Sequence, residues 1–207
     1  MEDSRALINQ TDAEFAQNKQ VLEQAFQKAG KSRLDYLALA LATCGVGYIK
    51  LAPGTWGSIV GVGLYLLVQT VQFAMWRGGA ARGWRVEQLE AWRVEANILI
   101  VLIVSGVGIW AANRASRVLN KKDPQQVVID EVAGQFIALM FVPLGVAWWM
   151  IAVGFVLFRF FDILKPYPID SLQELPGGFG VVVDDLVAGI YAAIVMSLIA
   201  AIRLSLS

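Results

Sequence analysis

Five carboxylates set among apolar residues carry the chemistry open to this sequence: Asp130 and Glu131, Asp162, and Asp184 and Asp185. An acid beside hydrocarbon costs about 2.5–3.5 kcal/mol at the centre of a membrane helix and less near its ends, so such residues ordinarily serve ion paths, metals or proton transfer. Each adjacent pair could instead complement the positive end of a helix dipole. Three acidic positions gathered on one face favour a shared centre. All are oxygen donors and the chain has no histidine, a set suited to a hard cation, above all magnesium (Mg2+), held by carboxylates together with a substrate phosphate. The lack of histidine also excludes a phosphohistidine intermediate or a histidine general acid. Cys44 is followed six positions later by Lys50 rather than arginine, and no Asp-x-Asp pair occurs. The chemistry left is attack of water on a phosphoryl group beside a metal, with carboxylates and cations arranging the charge.

Helix geometry limits what each acidic pair can do. Neighbours on a helix point about 100° apart, so one member of each pair is expected to meet the metal and the other to stand behind it, unless the helix start is irregular. Asp185 shares a face with the small residues Gly189 and Ala192, which admit a neighbouring helix; this turns Asp185 inward and leaves Asp184 the less favoured of the two. Arg159, Asp162 and Lys165 follow at three-residue spacing up to Pro166, which disfavours helical geometry at the residue before it. There Asp162 would bind metal while Arg159 or Lys165 meets phosphate, although a plain salt bridge at a helix end fits the same spacing. Lys50 precedes Ala52-Pro53-Gly54-Thr55-Trp56-Gly57-Ser58, a turn and helix start with Thr55 as N-cap, where free N–H groups would attract a phosphate. An ordinary loop fits that stretch as well. Gly177-Gly178-Phe179-Gly180 could bring backbone close to a ligand or simply turn the chain.

The elements that must position these residues are helices in lipid. Of 207 residues 57% are hydrophobic and 16% charged, with seven tryptophans, a balance far more apolar than that of soluble domains. The expected fold is all-α: a membrane-embedded helical bundle with about five crossings, a short re-entrant or interfacial helix and an N-terminal amphipathic helix. Residues 1–33 form the extension, in which Thr11 to Glu14 reads as a capping box opening a helix that ends near Gly30. That helix either caps the bundle or lies in the membrane interface. In the embedded domain, residues 34–207, the run from Tyr36 to Ile49 is too short to cross, since crossing takes about 20 residues. Gly57 to Trp76, Ala96 to Ala112, Val132 to Val142, Val146 to Phe161 and Leu186 to Ile202 are the spans, with a polar loop over residues 77–93. Counting crossings places residues 50–57, 113–131 and 162–185 on one side. Arg114, Arg117, Lys121 and Lys122 make that side cytosolic by the bias of short basic loops.

Seventeen basic residues balance seventeen acidic ones, without the basic excess that nucleic-acid binding needs. The single cysteine permits no internal disulfide. No cleavable signal peptide is expected at the N-terminus, so the spans themselves must direct the chain to its membrane.

The motifs Pro53-Gly54-Thr55-Trp56-Gly57-Ser58, Asp130-Glu131-Val132-Ala133-Gly134, Phe158-Arg159-x-x-Asp162-x-x-Lys165-Pro166-x-Pro168-Ile169 and Gly177-Gly178-x-Gly180 through Asp184-Asp185-x-Val187-Ala188-Gly189 resemble, in order and sequence, bacterial phosphatidylglycerophosphatase A. The resemblance covers residues 34–203. It implies an all-helical enzyme of the bacterial cytoplasmic (inner) membrane that hydrolyses phosphatidylglycerophosphate to phosphatidylglycerol and phosphate with magnesium. It also implies Asp130, Glu131, Asp162, Asp184 and Asp185 as metal or catalytic residues, and Thr55, Ser58, Arg159 and Lys165 on the phosphate side. The N-terminal extension and the 77–93 stretch look like additions to the family core. Gln125 and Gln126 stand where some members carry histidine. The competing class is an ion-coupled transporter, which would place its acids near the midplane between inverted repeats; no such repeat is found.

Overall fold

A computed structural model of the chain describes residues 32–122, 124–143, 148–173, 175 and 177–205. The amphipathic helix expected over residues 11–30 lies outside them. The chain divides into two compact units, Met1–Tyr36 and Leu37–Ser207; of the first, residues 32–36 are described, where Ser32 and Asp35 exchange side-chain to backbone hydrogen bonds at a helix start.

The described residues form seven helices and no strand: α1 (Arg33–Thr43), α2 (Pro53–Ala81), α3 (Val86–Leu119), α4 (Ile129–Leu139), α5 (Trp148–Leu164), α6 (Ile169–Leu172) and α7 (Gly178–Ser205). Three of them, α2, α3 and α7, are long and apolar enough to cross a membrane. Helix α5, with 17 residues, reaches about 25 Å at 1.5 Å per residue.

Helix α4 differs in kind from the crossing expected at Val132 to Val142. Its 11 residues rise about 16 Å, little over half of a hydrocarbon core about 30 Å thick. Every residue in it except Glu131 is buried. It is a half-length helix enclosed by α2, α3, α5 and α7, and the apolar residues that follow Glu131, broken only by Gln135, meet protein on all sides. A helix ending inside the bundle exposes carbonyls that lipid cannot satisfy. Side chains of the long helices take that role: Asn97 Nδ2 donates to the Met140 carbonyl at 2.8 Å and Tyr65 Oη to that of Val142 at 3.4 Å. Gln72 Nε2 in turn donates to Asn97 Oδ1 at 2.8 Å.

Glycines let the backbones of neighbouring helices approach α4 closely. A Cβ on Gly57 of α2 would lie 2.9 Å from Val128 Cβ, and one on Gly61 would lie 2.8 Å from Gln135 Cβ. On the other side, a Cβ on Gly134 would lie 2.5 Å from the Asp185 carbonyl oxygen, and Gly189 of α7 sits against the Gly134 backbone.

The polar loop expected over residues 77–93 is mostly helix. Helix α2 runs on to Ala81 and α3 starts at Val86, leaving a turn of four residues. Glu87, Gln88, Leu89, Glu90 and Ala91 are good helix formers, and the Arg85 N–H donates to Gln88 Oε1 at 3.0 Å to cap the start. Outside lipid, charge is no obstacle to extending a helix. Thr55 is likewise not the cap of α2: the helix begins at Pro53, with Ala52 at the N-cap in the left-handed region (φ 51°). Proline suits the first helical position because the N–H it lacks has no partner there. The last span also starts two turns earlier than Leu186, so Asp184 and Asp185 stand inside α7 rather than at its first residues.

Candidate active site

One cavity of about 560 Å3 collects the start of α2, the loop after α3, the start of α4, the end of α5 and the start of α7. That volume falls within the usual range of ligand pockets, about 300–1,000 Å3. All five sequence-identified acids line it, with Lys50, Lys122 and Lys165 as its cations.

Asp130, Glu131 and Asp185 form the inner cluster, each offering an oxygen, the three within 4.8 Å of one another. The expectation that one of Asp130 and Glu131 would stand behind the other made an exception for an irregular helix start, and that exception describes α4. The first turn of α4 follows an irregular residue, Val128 (φ −139°, ψ 6°), and both acids turn to the cluster. Asp185 reaches it from α7, one turn before Gly189, whose contact with Gly134 sets the spacing of the two helices. Asp162 lines the same cavity, but its carboxylate is engaged by Arg159 Nη1 at 2.5 Å.

Asp184 is buried as deeply as Asp185 rather than turned away. Its Oδ2 accepts from Lys165 Nζ at 2.6 Å and from Gln173 Nε2 at 3.0 Å. Burial works against the Lys165 charge, yet the hydrogen bond from Asp184 and the fields of Asp184, Asp185 and Asp162 outweigh it and hold its pKa above the ordinary lysine value. Lys165 ends α5 with left-handed backbone, φ 44°, a conformation that costs a non-glycine residue about 1–2 kcal/mol. Pro166 bars the right-handed alternative.

The phosphate-side candidates separate. Lys50 and Lys165 line the cavity. Arg159 stands behind it, paired with Asp162 and close to Gly54, where a Cβ would lie 3.1 Å from Nη1. Ser58 is fully buried on α2 and its hydroxyl donates to the Gly54 carbonyl at 2.9 Å. Thr55 is half-buried in the first turn of α2. Neither hydroxyl residue lines the cavity. Conversely, Lys122, Gln125 and Gln173 line it without having been marked by sequence reasoning. The basic run around Lys122 was a usable signal, and so was the place of Gln125 where some relatives carry histidine; nothing in the sequence distinguished Gln173.

The donor set fits a hard cation. Five carboxylates face three lysines in the cavity, and clustered acids out of water repel one another unless a positive charge compensates them. Two buried carboxylate oxygens, Glu131 Oε2 and Asp184 Oδ1, have no hydrogen-bond partner, nor has either amide atom of Gln135 one turn below Glu131. Buried polar atoms are rarely left so unless an ion or water meets them.

The family model for Phosphatidylglycerophosphatase A matches residues 39–200. A Bacteroides thetaiotaomicron protein named "Putative phosphatidylinositol-3-phosphatase" is 33% identical over 171 residues, which cover 80% of this chain and 94% of that protein. Phosphatidylglycerophosphatase A of Haemophilus influenzae is 33% identical over 166 residues, covering 80% of this chain and 89% of its own. That of Escherichia coli is 27% identical over 150 residues, 72% of this chain and 74% of its own. No solved structure matches.

Proposed function

Because the chain belongs to the phosphatidylglycerophosphatase A family, we propose that this phosphatase hydrolyses the terminal phosphomonoester of phosphatidylglycerophosphate, with magnesium, at the cytosolic face of a bacterial inner membrane. The products are phosphatidylglycerol and inorganic phosphate. The observation that carries this reading is the meeting of Asp130, Glu131 and Asp185 in a cavity that also holds Lys165. The activities in the relatives' names, "Phosphatidylglycerophosphatase A" and "Putative phosphatidylinositol-3-phosphatase", point to one substrate chemistry: a lipid whose headgroup bears a phosphomonoester beyond its phosphodiester. That is the substrate class proposed for this chain.

Asp130, Glu131 and Asp185 would hold the magnesium ion. Bound there, it would neutralise phosphate charge and lower the pKa of a coordinated water. The chain's own groups do the rest. Lys165, kept charged and oriented by Asp184, presents a compact positive charge to the phosphoryl oxygens. Arg159 anchors Asp162 and so fixes the wall of the cavity beside the α2 start. Asp184 Oδ1, a buried acceptor without a partner and outside the metal-holding set, would be the atom to take a proton from attacking water. The acids gather around one mouth, Asp130, Glu131 and Asp162 at helix ends and Asp184 and Asp185 within two turns of the start of α7, whereas an ion-coupled transporter would set them at mid-depth.

The test is phosphate release from phosphatidylglycerophosphate in detergent micelles, before and after bound metal is stripped by chelator. Activity should vanish on stripping and return best with magnesium. Full activity in excess chelator would refute the metal reading, and no release under any condition would refute the substrate.

A further inference from the structure

We infer that Lys50 and Lys122 form a second anion subsite at the cavity rim, which holds the phosphodiester of a two-phosphate headgroup while its monoester sits among the acids. The inference rests on the substrate class proposed above and goes beyond it by dividing the cavity's cations between two phosphates. Of the three lysines lining the cavity, Lys165 is engaged by Asp184 at 2.6 Å, and Arg159 behind the wall is engaged by Asp162. Lys50 and Lys122 have no acidic partner among the described residues and are exposed at the mouth, whereas the acids are buried or half-buried within. The cavity is therefore layered, with carboxylates inside and unengaged ammonium groups outside.

The two rim lysines also lie on loops that are pinned to each other. Gly47, three residues before Lys50, packs directly on the backbone of Gln126, and the Val128 N–H donates to the Ala42 carbonyl at 2.8 Å. Ser116 Oγ donates to the Lys122 carbonyl at 3.3 Å, just after Asn120 has turned the chain in left-handed geometry (φ 52°). Both lysines are thus carried by ordered backbone next to one opening. A lysine ammonium binds phosphate as a point charge and needs no fork geometry, which suits a diester that must be held but not cleaved. A substrate with a single phosphate cannot occupy both layers at once.

The experiment compares phosphatidylglycerophosphate with phosphatidic acid, which has one phosphate, in neutral detergent micelles that offer no anionic surface. The preference is the ratio of kcat/KM for the two lipids. In the Lys50→Ala/Lys122→Ala variant it should fall about tenfold or more, the scale of a lost charge-assisted contact, through a higher KM for the two-phosphate lipid. The Lys50→Arg/Lys122→Arg variant should restore it. An equal loss on both lipids would overturn the inference by making these lysines general attractors of anionic lipid, and an unaltered ratio would overturn it outright. Failure of the wild-type chain to cleave phosphatidylglycerophosphate would remove the function and this subsite together. The subsite alone falls if cleavage is present but the ratio does not respond.

Discussion

Replacing Gly134 with alanine tests whether the contact of α4 with α7 sets the geometry of the acidic cluster. The added Cβ would lie 2.5 Å from the Asp185 carbonyl oxygen and 2.5 Å from Phe158 Cε2. Both must retreat by roughly 1 Å to reach ordinary van der Waals separation of about 3.5 Å. The carbonyl belongs to the same residue whose carboxylate meets Asp130 and Glu131, so the retreat of α7 opens the cluster directly. Metal ligands tolerate only about 0.2 Å, and a 1 Å misplacement costs on the order of 100-fold in rate. Overpacking alone costs about 1–3 kcal/mol of stability, which the enclosed α4 has little room to relax. The assay is magnesium-dependent phosphate release from detergent-solubilised protein, with the melting temperature taken in parallel. Gly134→Ala should keep the protein folded, cut turnover on the order of 100-fold and raise the magnesium needed for half activity. Gly63, where an added Cβ meets nothing within 4 Å, supplies the control: Gly63→Ala should behave as wild type. Wild-type turnover and magnesium response in Gly134→Ala would refute the argument that this helix contact spaces the acids.

Asp185→Asn should lower turnover roughly 100-fold, the scale for removing one positioned electrostatic group, and more than Asp184→Asn does; the reverse order, measured by kcat, would move the cation to Asp184. Lys165→Met leaves the buried Asp184 carboxylate with Gln173 as its partner. The loss should lie toward the lower end of about 3–5 kcal/mol for breaking a buried pair, because the lysine side chain is 26% exposed. Adding Asp184→Asn should recover much of that loss, and a wild-type melting temperature for Lys165→Met would contradict the pairing. Burial, with a smaller contribution from Glu131, pushes the Cys44 thiol up to about 11. At pH 8 about one thiol in a thousand is then thiolate, so alkylation of Cys44 should be slow and accelerate about tenfold per pH unit toward pH 11. Rapid alkylation at pH 8 would contradict that burial.

The acids were legible because charge inside apolar runs is rare enough to mark itself, and their convergence followed from helices that alternate in direction. Helix geometry alone set Asp130 and Asp185 ahead of their neighbours, and both stand in the inner cluster, but it neither brought Glu131 in beside Asp130 nor gave Asp184 its partner. The irregular Val128 brings Asp130 and Glu131 together, and Lys165, displaced from the helix by Pro166, meets Asp184 from another element. Neither is visible in periodicity. The 77–93 stretch was misread because charge was taken to end a helix, whereas Glu87, Glu90 and Arg93 lie within α3. Thr55 lost the cap position to Ala52 because Pro53, suited to the first helical position, starts the helix two residues before it. Lys122 escaped notice because a basic loop signals topology as readily as a ligand. The run from Val132 to Val142 shows the deeper limit. An apolar stretch reads the same whether lipid or protein surrounds it, and only the packing of α4 among four other helices decides between them.

That packing bears on the topological expectation at its weakest point. In a count of spans, removing the short crossing at Val132 to Val142 would move Asp162 and Asp185 to the side opposite Asp130. In the structure the first turn of α4 and the last turn of α5 line the same cavity. The pair therefore leaves and returns to one end of the bundle, so the expected number of crossings it contributes is even whether or not α4 reaches the far side. Trp84, in the turn between α2 and α3, and Trp148, at the start of α5, are both exposed at the end of the bundle away from the cavity, a setting that suits tryptophan at a membrane interface. Gln88 is exposed in the first turn of α3 at that far end, and Gln125 is exposed at the cavity mouth. In a Cys44→Ser background, Gln88→Cys should react with an impermeant thiol reagent applied to intact cells, and Gln125→Cys should react only after the membrane is opened. Reaction at Gln125→Cys from outside with protection at Gln88→Cys would turn the active site away from the cytosol. Equal reaction at both would break the alternation of α2, α3 and the α4–α5 hairpin on which the single acidic site depends.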